Sequence, residues 1–417
     1  MKYGLIGEKL SHSFSKEIHE ALTDYKYEIL ELAPDEVAPF LEARGFEGIN
    51  VTIPYKEKVI PYLDSISEAA RKIGAVNTIK KVDGKLIGDN TDFYGMREMI
   101  LRAGIGIEGK KVLILGTGGT SKTSHAVAAD LGAREIITVS RKTSEDTVTY
   151  EAAIELHRDA DVIINTTPLG MYPNPQNKPI EIKNFPNLSG VIDAVYNPLR
   201  TRLILDAEAR GIPATGGLMM LILQAARAAE IFLGTTLEKE KVEYVIKKIF
   251  ESKENVVLVG MPGSGKSTVG RLIAELTGRT FIDTDTVIEE MTGKHPSGII
   301  REAGEDEFRN IETEAVREVS KRSGTVIATG GGIVKRCENI PLLRQNGRIL
   351  YLDCRAEELP VTPDRPLSSS REAIEELHRT RHPLYTSAAD ATVAISHKNE
   401  LQSNANEVLK IFSEMII

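Results

Sequence analysis

Short apolar runs alternate with amphipathic stretches along most of the chain. Over residues 1–100, YGLIG and GINVTI have the short, apolar character of strands. SKEIHEALTD and ISEAARKIG bring apolar positions back every three to four residues and predict helices. A second series follows, with strands at KKVLILG, EIITVS, ADVIINTTP and GVIDAV, and helices over 121–132 and near 150–158. Such alternation predicts an α/β fold built on parallel sheet with helices on both faces. Residues 218–233 and 238–250 read as helices, and LEKEKVEYVIKKIFESKEN is amphipathic, strongly charged and free of Gly and Pro. ESKEN, 251–255, is expected to be a short linker. A new apolar run then opens at VVLVG, and the alternation resumes to the end. No repeat relates the two halves residue by residue.

Composition sets limits on this picture. The 417 residues are 41% hydrophobic and 27% charged, which fits a soluble chain of about three domains. A net charge of −8 and a pI near 5.7 argue against nucleic acid or an anionic membrane surface as the main partner. GGLMMLILQAARAAEIFLG, 216–234, is interrupted by Gln224, Arg227 and Glu230, which a membrane span should not carry. KYGLIG runs straight into a strand, so no signal peptide is expected. Cys337 and Cys354 fit reduced thiols in a cytoplasmic protein, and the histidines show no metal-ligand spacing.

Two glycine-rich stretches carry the chemistry. GMPGSGKS fits G-x-x-x-x-G-K-[ST] through Gly260, Gly265, Lys266 and Ser267, and it joins a strand to a helix as that pattern requires. Its backbone, with Gly263, Ser264 and Thr268, would cradle the phosphates of ATP. Lys266 would reach the β- and γ-phosphates, and Ser267 would give an oxygen to Mg²⁺. TFIDTDTVIEE is expected to be the next strand, with Asp283 and Asp285 as alternate residues on one side, placed to hold hydrated Mg²⁺ and accept a hydroxyl proton. Arg309 and Glu312 in EDEFRNIE, Gly330–Gly332 in ATGGGIV, Arg365 in DRPL and Arg381 in RHPLY complete the set. Several arginines around such a loop suit phosphate charge and an anionic acceptor.

LGTGGTSKTS has Gly116, Gly118 and Gly119, but Ser121 stands where G-x-G-x-x-G needs its third glycine. Lys122 is not preceded by Gly, so the triphosphate pattern fails. The following strand ends in Ser140, Arg141 and Lys142, where an NAD site would offer an acid. The positive charge favours the 2′-phosphate of NADP. Upstream, SHSFS places Ser13 and Ser15 on one face of an extended stretch. NVTIPYK offers Asn50, Thr52 and Lys56, GAVNT offers Asn77, and GDNTD offers Asn90 and Asp92. Hydroxyls and amides with one lysine and one aspartate suit a small polyhydroxylated acid, and a Lys–Asp pair could pass a proton to a carbonyl oxygen without a metal.

Residues 255–395 resemble shikimate kinase through GMPGSGKST, DTD, EFRNIE, GGG, RPL and RHPLY. The resemblance implies that Lys266 and Ser267 serve ATP and Mg²⁺ and that Asp283 lies near the metal. Asp285, Arg309, Gly331, Gly332 and Arg381 would contact shikimate, and Arg365 is similar to the lid arginine that meets the transferring phosphate. RAEELPVTPDRPLSSSREAIEEL is several residues shorter than the family's usual lid, and EELPVTPD stands in place of the basic stretch expected before RPL. Residues 1–250 resemble shikimate dehydrogenase through SHSFS, NVTIPYK, GAVNT, GDNTD and GLMMLILQAA. That implies Ser13, Ser15, Thr52, Asn77, Asp92 and Gln224 as shikimate ligands and Lys56 with Asp92 as the catalytic pair. Tyr196 and Gly217 would line the cleft beside substrate and nicotinamide. Here Glu8-Lys9 replaces the family's Asn-Pro, Lys16 replaces its Pro, and Lys122 and Thr123 replace its Arg and Ala.

The expected organisation is a shikimate-binding α/β domain over 1–100, completed by helices from 218–250, a Rossmann-type NADP domain over 101–217, a linker at 251–255 and a P-loop kinase domain over 256–417. Together the resemblances imply a bifunctional enzyme that makes shikimate with NADPH and then phosphorylates it with ATP. Two other readings stay open: a dehydrogenase half that takes quinate or NAD, and one half that is a non-catalytic binding or regulatory module. Small molecules are the expected partners; oligomeric state is not encoded in any motif found.

Overall fold

A computed structural model describes residues 2–10, 13–361, 370–396, 398 and 400–416. The chain divides into two compact units, Met1–Ile249 and Phe250–Ile417.

The first unit holds two sheets. Strands β1 (Tyr3–Gly7), β2 (Tyr27–Glu31), β3 (Gly48–Val51), β4 (Ser65–Ile66), β5 (Thr78–Val82) and β6 (Lys85–Asp89) lie in the order β2-β1-β3-β5-β6-β4. The sheet is mixed: β1 runs parallel to β2 and β3, and β5 is antiparallel to both β3 and β6. Helices α1 (Ser15–Leu22), α2 (Val37–Ala43), α3 (Glu68–Ile73) and α4 (Thr91–Arg102) intervene or follow. Ile6, Phe46, Ile49, Tyr55 and Ile79 form a fully buried core on one side of this sheet.

The second sheet is parallel throughout. Its strands are β7 (Lys111–Leu115), β8 (Glu135–Ser140), β9 (Thr147–Thr149), β10 (Val162–Asn165), β11 (Gly190–Asp193) and β12 (Ala214–Gly216), in the order β12-β11-β10-β7-β8-β9. The order reverses between β7 and β10, the position where doubly wound sheets bind ligands beyond their strand ends. Helices α5 (Gly119–Asp130), α6 (Tyr150–Leu156) and α7 (Arg202–Glu208) connect these strands. Then α8 (Gly217–Leu233) returns to pack on α4 and α1, and α9 (Lys239–Lys253) follows. The approach of α8 to α4 needs a residue without a side chain. A Cβ on Gly95 would stand 2.6 Å from the carbonyl oxygen of Met220 and 2.9 Å from the Cβ of Gln224.

The second unit is a five-stranded parallel sheet, β14-β15-β13-β16-β17, made from β13 (Asn255–Val259), β14 (Thr280–Asp283), β15 (Thr325–Ala328), β16 (Gly347–Cys354) and β17 (Ala391–Ile395). Its helices are α10 (Lys266–Thr277), α11 (Thr284–Thr292), α12 (Pro296–Ala303), α13 (Glu305–Ser320), α14 (Asn339–Arg344), α15 (Arg371–Ala388) and α16 (Leu401–Glu414). The central strands are buried along their whole length, as sheets covered on both faces require.

Three local expectations change. TFIDTDTVIEE is not one strand: β14 ends at Asp283, whose Oδ1 accepts the backbone N–H of Asp285 at 3.0 Å and caps α11. A short acceptor side chain just before an apolar, helix-period stretch starts a helix, and here it outweighs the β-branched residues around it. Ser15 likewise opens α1 instead of extending a strand. The segment 251–255 is the end of α9, one intervening residue and the first residue of β13, and the border between the two units falls inside α9. Among the described residues no helix is long and apolar enough to cross a membrane.

Candidate active sites

In the first unit a cavity of about 430 Å³ opens where the ends of β1 and β3 face α4 and α8. Its lining includes Ser13, Ser15, Thr52, Lys56, Asn77, Asp92, Tyr196 and Gln224, which the sequence disperses over more than 200 positions. Asp92 sits in the first turn of α4 and Gln224 in the middle of α8, so the close approach at Gly95 is what brings them to one space. The Lys56 ammonium donates to Asp92 Oδ2 at 2.7 Å, and both side chains are mostly buried. Asp92 therefore fixes the ammonium in place, with the remaining N–H groups of Lys56 available to the cavity.

A hydrogen-bond network holds the amides. The Thr91 backbone N–H donates to Asn77 Oδ1 at 2.7 Å, Asn77 Nδ2 donates to Gln224 Oε1 at 3.4 Å, and Gln224 Nε2 donates to the Leu221 carbonyl at 3.0 Å. Asn50 also lines the cavity; its Oδ1 accepts from the Tyr27 hydroxyl at 2.7 Å, and its Nδ2 donates to Thr78 at 3.0 Å. Behind this layer His19 stacks on Tyr27 with ring centroids 4.0 Å apart, and burial lowers its pKa to about 3, so it stays neutral. Asn90 does not reach the cavity. Its side chain is buried and donates to the Ala75 carbonyl at 2.9 Å. Thr91, Thr78 and the apolar wall of Leu5 and Leu221 were not read from sequence, because only the fold brings these positions together.

At the second sheet, β7 turns into α5 through Gly116, with φ of +109°, and Gly118, the residue before the helix. A Cβ on Gly118 or Gly119 would meet nothing within 4 Å, so the helix N-terminus faces open space suited to a phosphate group. Ser140 ends β8 half-buried, and Arg141 and Lys142 follow it exposed. Lys122 is paired with Glu57 at 2.6 Å. A larger concavity of about 830 Å³ runs along α5 and includes Thr117, Ser121 and Lys122, but neither Lys56 nor Asp92 lines it. Its size reflects the groove beside α5, and the Lys56–Asp92 pair lies in the smaller cavity. Gly217 starts α8 with its backbone N–H on the Val195 carbonyl at 3.0 Å.

In the second unit the loop 260–265 turns through Gly260, Gly263 and Gly265, all at positive φ, into α10. Lys266 folds back over it, donating to the carbonyls of Gly260 at 3.0 Å and Met261 at 2.9 Å. Among the described residues the buried Ser264 hydroxyl has no hydrogen-bond partner, an orphan that a phosphate oxygen would satisfy. Ser267 donates to Asp283 Oδ2 at 2.6 Å, which puts a hydroxyl and a carboxylate side by side where Mg²⁺ would be held. Thr268 is exposed in the first turn of α10.

Facing the loop, Asp285, Arg309, Gly331, Gly332 and Arg381 converge. A Cβ on Gly330 would lie 3.0 Å from Asp285 Oδ1 and 2.9 Å from Glu312 Oε1, and one on Gly331 would strike Pro262 at 2.7 Å. Arg309 is buried and donates to Glu312 at 2.7 Å and Glu305 at 2.9 Å. Burial pushes the Glu312 carboxyl up in pKa; the Arg309 guanidinium pulls it back, and Asp285 pushes it further up. The hydrogen bond from Lys335 holds Glu305 down to about 2, with Arg309 adding to it against the opposing effect of burial. Arg381 donates to the Gly331 carbonyl at 2.7 Å, and Tyr385, one turn on, donates to the same oxygen. Tyr385 was not assigned from sequence, although its i+4 spacing from Arg381 carries the signal. Arg365 lies outside the described residues.

The comparisons agree with this division. Residues 5–79 match the family model of the shikimate dehydrogenase substrate binding domain, and residues 262–414 match that of shikimate kinase. A shikimate dehydrogenase (NADP(+)) of Clostridium perfringens (strain SM101 / Type A) is 38% identical over 265 residues, covering 59% of this chain and 97% of that protein. The structure of a chorismate mutase/shikimate 5-dehydrogenase fusion protein from Clostridium acetobutylicum is similar at 34% identity and a TM-score of 0.57, covering 59% of this chain and 96% of that one. A shikimate 5-dehydrogenase from Thermus thermophilus, solved in complex with NADP(H) and shikimate, is 29% identical with a TM-score of 0.53, covering 59% of this chain and 98% of that one. The chain belongs to the shikimate dehydrogenase family through its first unit and carries a shikimate kinase domain in its second.

Proposed function

We propose that the chain performs two consecutive steps on one ring: reduction of 3-dehydroshikimate to shikimate with NADPH, then transfer of the ATP γ-phosphoryl group to the shikimate 3-hydroxyl. The observation that carries this reading is the meeting of Lys56 and Asp92, 36 positions apart, at 2.7 Å in a cavity otherwise lined by hydroxyls and amides. When bound, NADPH supplies the hydride, ATP the phosphoryl group and Mg²⁺ a counter-charge. Residues 1–100 with the helices from 218–250 would then form the substrate domain, 101–217 the NADP domain and 256–417 the kinase.

At the first site the Lys56 ammonium gives a proton to the oxygen that becomes an alkoxide as the carbonyl carbon is reduced. Asp92 holds that ammonium and accepts a hydrogen bond from a neighbouring ring hydroxyl. Ser13, Ser15, Thr52, Asn77 and Gln224 orient the ring, and Tyr196 closes one wall. Arg141 and Lys142 attract a 2′-phosphate. At the second site Arg309 and Arg381 hold the substrate carboxylate, and Asp285 orients the 3-hydroxyl and takes its proton. Lys266 and Ser267, with Asp283, hold the phosphate end. Rate there comes mainly from position and charge.

Lys56→Ala should lower NADPH oxidation by about 10²–10⁴-fold while ADP release with shikimate continues, and Lys266→Ala should do the reverse. One vessel with 3-dehydroshikimate, NADPH and Mg-ATP should accumulate shikimate 3-phosphate with the intact protein. Loss of both activities in either folded variant would remove the case for two independent sites.

A further inference from the structure

The second unit also gathers a set of side chains that the proposed reaction does not use. β16 ends in Tyr351-Leu352-Asp353-Cys354, so Tyr351 and Asp353, two apart on a strand, point to the same face. That face meets α15, where His378 and His382 are four apart and therefore on one side of the helix. The two imidazoles stack, with centroids 5.1 Å apart and planes 17° from parallel. Asp353 Oδ1 lies 3.7 Å from His382 Nδ1, and one donor atom from each of Asp353, His378 and His382 lies within 4.8 Å of the other two. All three residues are half-buried, reachable by a solvated ion yet held by their elements. The expectation that the histidines lack metal-ligand spacing is corrected here, since His-x-x-x-His on a helix is such a spacing.

A supporting layer is present as well. The Tyr351 hydroxyl donates to Asp353 Oδ1 at 3.0 Å and stands 3.0 Å from His382 Nδ1. Its ring is buried and stacks on Tyr385 at 5.0 Å, so the hydroxyl is fixed and orients the carboxylate, as outer partners of metal ligands do. Two imidazoles and one carboxylate suit a borderline divalent cation; Mg²⁺ and Ca²⁺ call for more oxygens. Around a tetrahedral ion with bonds of about 2.0–2.2 Å, donor atoms stand about 3.3–3.6 Å apart. Small side-chain rotations would close the spacing seen here.

We propose that Asp353, His378 and His382 form a binding site for a borderline divalent transition-metal cation of the Zn²⁺ type, with an open position for water. Loading it ties α15 to the end of β16 one residue from Arg381.

The test uses the full chain, stripped with a chelator and kept free of nucleotide. Titration calorimetry with Zn²⁺ alone should show one equivalent bound, and Co²⁺ should give visible d–d absorption that Zn²⁺ removes. His378→Gln and Asp353→Asn should each weaken Zn²⁺ binding by at least about tenfold. Gln favours the helix, and His378 is not among the residues of the proposed kinase site, so ADP release by His378→Gln should match the parent and confirm folding. Failure of the parent to bind either ion would overturn the proposal, as would equal affinity in His378→Gln. Displacement of Co²⁺ by Mg²⁺ at equal concentration would overturn the assignment to a borderline cation.

Discussion

Gly332 shows how much of the second site depends on a missing atom. A Cβ there would collide with the guanidinium atoms of Arg309. Those atoms are the far end of a long side chain, so Gly332→Ala should displace the charge and leave the fold nearly intact. A hydrogen bond to a charged group is worth roughly 1.5–3 kcal/mol, so KM for shikimate should rise about 10- to 100-fold with little change in melting temperature. Steady-state kinetics beside a thermal melt would check both halves of that expectation. Asp193 gives a pH-dependent counterpart in the first unit. It is fully buried at the end of β11, and desolvation raises its pKa from near 3.8 to about 7 against the pull of Thr201, Val195 and Asn165. The folded state then binds a proton that the unfolded state has lost. The stabilisation from this group is full below about pH 4 and disappears as pH rises through about 7. Urea unfolding at pH 5 and pH 8 should show the parent losing stability relative to Asp193→Asn over that interval; an unchanged difference would contradict it.

At the scale of elements, much was legible because the signals were local. The period of apolar positions gave α5, α8 and the strands of the parallel sheets, and glycines with a following helix gave both phosphate-type loops. Where a cap competed with a strand pattern, sequence reading failed. Asp283 begins α11, so Asp285 leaves the strand direction and turns toward Gly330 instead of standing beside Asp283. The candidate site residues still converge because the loop 330–332 packs on Pro262 and brings β15's end to the loop 260–265. No local pattern states that contact. The same holds for Thr78 and Thr91, which only the antiparallel pairing of β5 with β6 and the start of α4 bring together, 3.1 Å apart. It holds for Asn90 too: Asp92, two residues on, lines the cavity, while the Asn90 side chain turns to Ala75. The histidine pair on α15 was legible in principle, and the missing partner was Asp353, 25 residues upstream on another element.

At the scale of the whole molecule, each unit has its own sheet system and its own buried core, which is why two activities can be assigned and tested separately. The stretch ESKEN looks like the place to divide them, and its interactions say otherwise. Glu254 is 2% exposed and pairs with Arg348 at 3.0 Å, and its carbonyl accepts from Arg279 at 2.6 Å. Arg279 also donates to the Glu251 carbonyl, Glu251 accepts from Ser413 at 2.6 Å, and the Lys253 carbonyl accepts from the Gly324 backbone N–H at 2.9 Å. These residues close the end of the kinase sheet at which the central strand β13 begins. Anyone dissecting the gene product should expect a fragment that starts at Asn255 to leave the Arg279 guanidinium without its acceptors, and to melt lower than one that starts at Lys239. Comparing the melting temperatures and ADP release of those two fragments would check this, and identical behaviour would contradict it. The seam between the two enzymes, as a cloner would have to cut it, lies upstream of where composition changes, because the second enzyme has taken the tail of the first one's last helix into its own fold.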